Sequence, residues 1–181
     1  MTIGTKSILF GAHAFWFHPF VVAAAWWKTY GFPFDPRLWV AFFVHDLGYI
    51  GCPNMDGLEG ERHPELGARI MARFDVGRWY DLHRWHDFCL YHSRTYAKLH
   101  GAEVSKLCYA DKLAFTVQPK WLYLFLVRLT GEYTEYLENA RKYNASLGCT
   151  KIRTDTLSNW YDDLVKHFYT VIKPPVERKA A

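Results

Sequence analysis

His18, the pair His45-Asp46, His63, His92 and Asp111 recur along the chain as residues able to ligate a metal, each set among apolar neighbours. An imidazole or carboxylate in such surroundings costs free energy unless something compensates it. At helical spacing Leu107, Ala110, Asp111 and Ala114 share one face of "SKLCYADKLAF". Leu38, Ala41, Phe42 and His45 do the same in "RLWVAFFVHDLGY", and Trp85, Phe88, Cys89 and His92 further on. A shared metal accounts for all of them together.

Neutral imidazole plus carboxylate suits Mn, Fe, Co, Ni or Zn, with Mg admissible, and no thiolate cluster draws the site towards softer ions. Two arrangements are open. A single octahedral ion held by His18, His45, Asp46 and Asp111 leaves His63 and His92 over; a second ion, bridged by Asp46, employs them. Two ions about 3.5 to 4 Å apart clamp the attacking and leaving oxygens of a phosphoryl displacement.

The surroundings of these residues strongly resemble the HD-domain superfamily of metal-dependent phosphohydrolases. "HPFVVAAAW" is similar to that family's first-histidine helix, "FFVHDLGYIG" to its signature dyad, "HPELGARIM" to the additional-histidine segment of members with two metals, and "YADKLA" to the closing aspartate segment. The resemblance runs from about residue 10 to about residue 116 and leaves the remainder unmatched. It implies an all-α, compact single-domain helical bundle of HD-domain type, with the metal-site region at about 10–116; the chain reads as one such domain over 1–181, with periodicity adding carboxy-terminal helices at about 117–172 and "KPPVERKAA" reading as a frayed tail at 173–181.

It also implies hydrolysis of a small anionic phosphate ester, a nucleotide or deoxynucleotide, by hydroxide generated on a divalent ion. Asp46 and Asp111 orient the water in this reading, with His45, Arg62 and Lys112 as the further catalytic candidates. Arg62, Arg94, Lys98 and Lys112 are the nearest cations for phosphate recognition, Arg being favoured where a bidentate grip is needed.

Two departures stand out. Many family members carry a lysine where this chain has Tyr49, so that role is either missing or falls to Lys112 or Arg62. The Gly-Tyr-Pro signature of the cyclic-dinucleotide branch is absent from "LYHSRTYAKLHG", which disfavours that substrate. Two other functions use the same ligands: a mixed-valent di-iron oxygenase that cleaves a C–P or C–C bond, and a nucleotide-binding module without turnover.

Other polar residues have blander readings. His83, His86 and Asp87 have metal-like i, i+3, i+4 spacing but equally fit a solvated face. His13, His100 and His167 read as structural or surface residues. Asp56 and Glu59 read as solvated loop residues, whereas Glu61 and Arg62 are candidates to contact substrate or the groups around the metal.

The chain has 181 residues, 50% apolar and 18% aromatic, enough for one thick core and short for two. A formal charge of +4 suits an anionic substrate but lacks the concentrated basic stripe of a nucleic-acid binder. No nucleic-acid partner is expected, and the aromatic content leaves room for a homo-oligomer face. Cys52, Cys89, Cys108 and Cys149 form no Cys-x-x-Cys pair, which fits a reducing cytoplasm. Residues 8–27 carry no Asp, Glu, Lys or Arg, but His13, His18 and Pro19 within them favour a buried core segment over a membrane span.

Helical periodicity dominates the elements that must position these groups. It predicts one helix or two over 8–30, with Pro19 able to begin the second. A helix capped by Asp35 should run to about Gly48, and a loop over 51–62 should lead to a helix beginning at Pro64. Further helices are expected at about 76–97, 103–116, from Pro119 onward, 132–146 and 155–171. Trp121, Tyr123, Phe125, Trp160, Tyr161, Phe168 and Tyr169 could stack a nucleobase, although aromatics at helical spacing more often form core.

Overall fold

The computed structural model describes residues 1–55, 59–75 and 84–171. Among them are ten α-helices and no strand: α1 (Ile3–Phe10), α2 (His18–Tyr30), α3 (Pro36–Val44), α4 (Pro64–Met71), α5 (Arg84–Leu90), α6 (Arg94–Leu99), α7 (Lys106–Val117), α8 (Lys120–Thr130), α9 (Tyr133–Leu147) and α10 (Leu157–Val171). The fold is all α. The frayed tail expected at 173–181, Asp56 and His83 lie outside the described residues.

The starts of the helices follow their local chemistry. Asp35 accepts a hydrogen bond from Arg37 N at 2.9 Å, while Pro36 occupies the first position of α3, where its missing N–H costs nothing. Pro19 and Pro64 sit in the first turns of α2 and α4 in the same way. Gly31 ends α2 at φ +91°, a conformation costly for any residue with a Cβ.

Three boundaries differ from those expected. The 8–30 stretch takes the two-helix form, with Pro19 in the first turn of the second helix, but its first helix begins earlier, at Ile3, and ends at Phe10, and turns occupy the stretch before α2 begins at His18. No helix among the described residues is long and apolar enough to cross a membrane. The dyad helix stops at Val44 rather than near Gly48, because the chain tightens into a 3-10 turn over Leu47–Tyr49. The single helix expected at 76–97 is broken within its described part. Ser93 caps a new helix by accepting from Tyr96 N at 3.2 Å, which leaves His92 in the connecting turn.

Helix α7 is the shared element. It packs along α2, and Leu107, Ala110 and Ala114 join Val22, Trp26, Phe42, Met71 and Cys89 in one core. Its Phe115 packs against a second core of Tyr123, Val127, Ala140, Trp160 and Tyr161, built from α8, α9 and α10. Asp111 therefore projects from a helix clamped on both sides. Helix α4 lies along α5 and also meets α3. That close approach depends on Gly67, where a Cβ would lie 2.6 Å from Val44 O and 2.7 Å from Cys89 Sγ.

Candidate metal centre

Six polar side chains from five parts of the chain converge in the interior, all at 9% exposure or less: His18, His45, Asp46, His63, His92 and Asp111. They form two groups that share Asp46, one with His18, His45 and Asp111 and the other with His63 and His92. His18 opens α2, and His45 and Asp46 follow the last turn of α3. His63 directly precedes α4, while Asp111 lies mid-way along α7.

The two oxygens of Asp46 serve different groups. Oδ2 lies 3.4 Å from His18 Nε2 and 3.1 Å from His45 Nε2, whereas Oδ1 lies 3.7 Å from His63 Nε2 and 3.3 Å from His92 Nε2. Asp111 Oδ1 completes the first group, 3.1 Å from His18 Nε2 and 3.7 Å from His45 Nε2. An ion with ligands at about 2.1 Å separates adjacent donor atoms by about 3.0 Å at octahedral angles and about 3.4 Å at tetrahedral angles. The spacing fits either arrangement.

Hydrogen bonding sets which ring nitrogen faces inward. Nδ1 of His45, His63 and His92 lies 3.0, 2.6 and 2.6 Å from the carbonyl oxygens of Phe42, Gly60 and Cys89. A carbonyl only accepts, so each Nδ1 carries a hydrogen and each Nε2 faces the cluster, offering a lone pair wherever the ring carries no second proton. Nε2 of His63 and Nε2 of His92 then face one another at 3.1 Å. His45 Nε2 and Asp46 Oδ2 are buried and make no hydrogen bond among the described residues. Facing lone pairs and orphaned buried atoms are what a cation would relieve, and the donor set fits one.

Charge is distributed unevenly without an ion. Burial opposes ionisation of His45, but Asp46 and Asp111 outweigh it and raise its pKa to about 10. At His18 and His63 burial prevails and lowers the pKa. Burial also opposes the carboxylates, yet Asp46 is held well below its usual range chiefly by His45, and Asp111 chiefly by Lys112. Lys112 Nζ lies 3.1 Å from Asp111 Oδ2, and the attraction of that carboxylate pushes the ammonium pKa up.

Two cavities adjoin the cluster. The larger, about 720 Å³, is lined by His63, Ser93, Thr95, Arg94, Lys98 and Lys112, with Glu61 at its wall. The smaller, about 210 Å³, is lined by His13, His18, Asp111 and Lys112 on one side and by aromatic rings of α7 to α10 on the other. Tyr49, Met55 and Lys112 line both. The Tyr49 ring stacks on His63 with centroids 4.0 Å apart and planes 13° from parallel.

The structure does not bring every candidate here. The Arg62 side chain is 72% exposed and pairs with Glu65 at 3.0 Å, and it lines neither cavity. His86 lies beside Asp87 at 2.8 Å, outside the two groups. Of the aromatic candidates, Tyr123, Trp160 and Phe168 line the smaller cavity, whereas Trp121, Phe125 and Tyr169 are exposed.

Three residues were not singled out as functional by the sequence. His13 lies in the smaller cavity, its ring centroid 5.4 Å from that of His18. Glu132, fully buried, accepts from Thr130 Oγ1 at 2.6 Å and Tyr136 Oη at 2.7 Å, and lies 3.7 Å from His13 Nδ1. Gln118 also lines that cavity. Glu132 and Gln118 stand outside any motif, and nothing in their neighbours marks them.

No protein-family model, no curated protein and no solved structure matches the chain.

Proposed function

We propose that this protein is a metal-dependent phosphohydrolase of HD type that hydrolyses a small phosphate ester, a nucleotide or deoxynucleotide. The observation that carries this reading is the division of the Asp46 carboxylate between two imidazole groups, Oδ2 towards His18 and His45 and Oδ1 towards His63 and His92. His18, His45, Asp46 and Asp111 would hold one divalent ion, and Asp46, His63 and His92 a second, drawn from Mn, Fe, Co, Ni, Zn or Mg. Such ions supply a hydroxide nucleophile near neutral pH and neutralise the non-bridging oxygens of a phosphoryl group.

The chain's own residues supply orientation and charge. The carbonyls of Phe42, Gly60 and Cys89 hold three imidazoles in one tautomer, so the donor atoms are aligned in advance. Asp46 and Asp111 accept hydrogen bonds from the attacking water. Lys112, beside Asp111 and in the wall of both cavities, donates to a phosphate oxygen, and Arg94 and Lys98 extend that cationic wall. The arrangement gives no comparable place to Arg62.

Release of phosphate, pyrophosphate or triphosphate from a panel of nucleotides by manganese-loaded protein tests the reading. Activity should vanish in Asp46→Ala.

A second reading draws on the same two-sided carboxylate: a mixed-valent di-iron oxygenase acting on a C–P or C–C bond. A mixed-valence electron paramagnetic resonance signal perturbed by an organophosphonate would favour it. Manganese-supported turnover without oxygen would exclude it.

A further inference from the structure

Gln118 caps the end of α7, about two turns beyond Asp111, and the residue is 8% exposed. It lines the smaller cavity, yet its Oε1 has no hydrogen-bond partner among the described residues. A buried amide oxygen without a donor costs free energy that an apolar side chain of the same size would avoid. Nothing among the described residues repays that cost. Pairing with a ligand would.

The walls indicate the shape of such a ligand. Phe115, Tyr123, Tyr136, Trp160 and Phe168 surround the cavity. The Tyr136 and Trp160 rings lie 7° from parallel with centroids 5.7 Å apart, and those of Tyr123 and Trp160 15° from parallel at 6.4 Å. The rings pack on one another into an aromatic wall, against which a flat π-system packs better than a flexible aliphatic chain. At about 210 Å³ the space lies below the roughly 300–1,000 Å³ of pockets that take a whole drug-sized ligand, so it suits one ring system. The remainder of the ligand has a route onward, since Tyr49, Met55 and Lys112 also border the larger, cationic cavity.

We propose that the smaller cavity is the subsite for a planar nitrogen-heteroaromatic ring, a nucleobase, and that Gln118 is the residue that determines specificity there by hydrogen bonding to the ring edge. A carboxamide sets a donor amino group beside an acceptor oxygen, which together match a ring edge carrying a carbonyl or amino group beside a ring nitrogen. Phosphate groups of the same molecule occupy the cavity of Lys112, Arg94 and Lys98. This division rests on the phosphate-ester reading for what the ring is attached to, but ring binding itself does not.

The test is calorimetric titration of wild type and Gln118→Leu with uridine, cytidine, adenosine and guanosine, with ribose 5-phosphate as a ring-free control, alongside thermal melts. Leu fills the space without an amide. The proposal expects at least one nucleoside to bind wild type and to bind the variant at least tenfold more weakly, with ribose 5-phosphate unchanged. The ligand-free Tm of the variant should stay level or rise, whereas a structural amide would make it fall. Absence of nucleoside binding, equal binding by both proteins, or a lowered Tm would overturn it. Gln118-dependent nucleoside binding with no ester turned over leaves the subsite standing and removes the hydrolase reading. Equal hydrolysis of nucleotides and ribose 5-phosphate by both proteins does the reverse.

Discussion

Nε2 of His63 and Nε2 of His92 lie 3.1 Å apart, and each ring has committed its Nδ1 hydrogen to a backbone carbonyl 2.6 Å away. Two neutral imidazoles so arranged point lone pair at lone pair, and only a proton or a metal ion between them relieves the contact. Burial lowers the pKa of His63, with His92 adding to the effect, which disfavours a proton on His63.

Metal content should follow that geometry. Wild type loaded with manganese or zinc and desalted should retain two ions per chain, His63→Ala or His92→Ala one, and Asp46→Ala fewer than one. Inductively coupled plasma mass spectrometry reads the counts. Two ions retained without His92 would refute the assignment of the second group.

Loading should release protons. In the metal-free cluster the pKa of His45 is raised to about 10, so its Nε2 is protonated at neutral pH and must lose that proton to ligate. The apparent affinity should rise about tenfold per pH unit between pH 6.5 and 8.5, measured by competition with a chromophoric chelator. A flat or falling profile would contradict the protonation of His45.

The same shifts set the stability of the metal-free protein. Asp46 and Asp111 have lowered pKa values when folded, so their contribution is complete above the unfolded range near pH 4 and is lost as pH falls through the lower folded values. His45 has a raised value, so its contribution is complete below about pH 6.5 and is lost as pH rises through about 10. Urea midpoints of the metal-free protein should therefore decline at both extremes. Asp46→Asn should flatten both limbs.

Much of this centre was legible because its chemistry is local. His45, His92 and Asp111 could be named from apolar helical faces, and His18, Asp46 and His63 with the help of segments that resemble the HD-domain family, and the structure brings all six into two groups. The break at His92 was not legible, since "CLYHSRTYA" keeps its helical periodicity while Ser93 starts a second helix through one side-chain cap. Arg62 was misleading for a similar reason. It stands next to His63 in sequence, but the turn before α4 directs its guanidinium outward to Glu65. Gln118 and Glu132 gain significance only from long-range packing, which no short window of sequence encodes.

Gly67 is a point where packing and chemistry meet. Ala there would set its Cβ against Val44 O and Cys89 Sγ and force α4 away from the dyad, at a cost of about 1–3 kcal/mol. Its midpoint of denaturation should fall and its second ion should be bound more weakly, as read by urea titration and metal analysis. Unchanged stability would show that α4 can move freely.

Glu132→Ala should be more damaging, because it strips the acceptor from Thr130 Oγ1 and Tyr136 Oη in the interior. A loss of about 3 kcal/mol is expected in chemical denaturation. Metal stoichiometry should be preserved, since Glu132 belongs to neither cluster. Loss of both ions would tie this network to the centre.

The most direct test is anaerobic product analysis of the manganese-loaded protein with nucleoside mono-, di- and triphosphates, with Asp46→Ala in parallel. Wild type should release phosphate, pyrophosphate or triphosphate from at least one substrate and the variant from none. No turnover by the fully loaded protein, or equal turnover by the variant, would rule out hydrolysis at this centre.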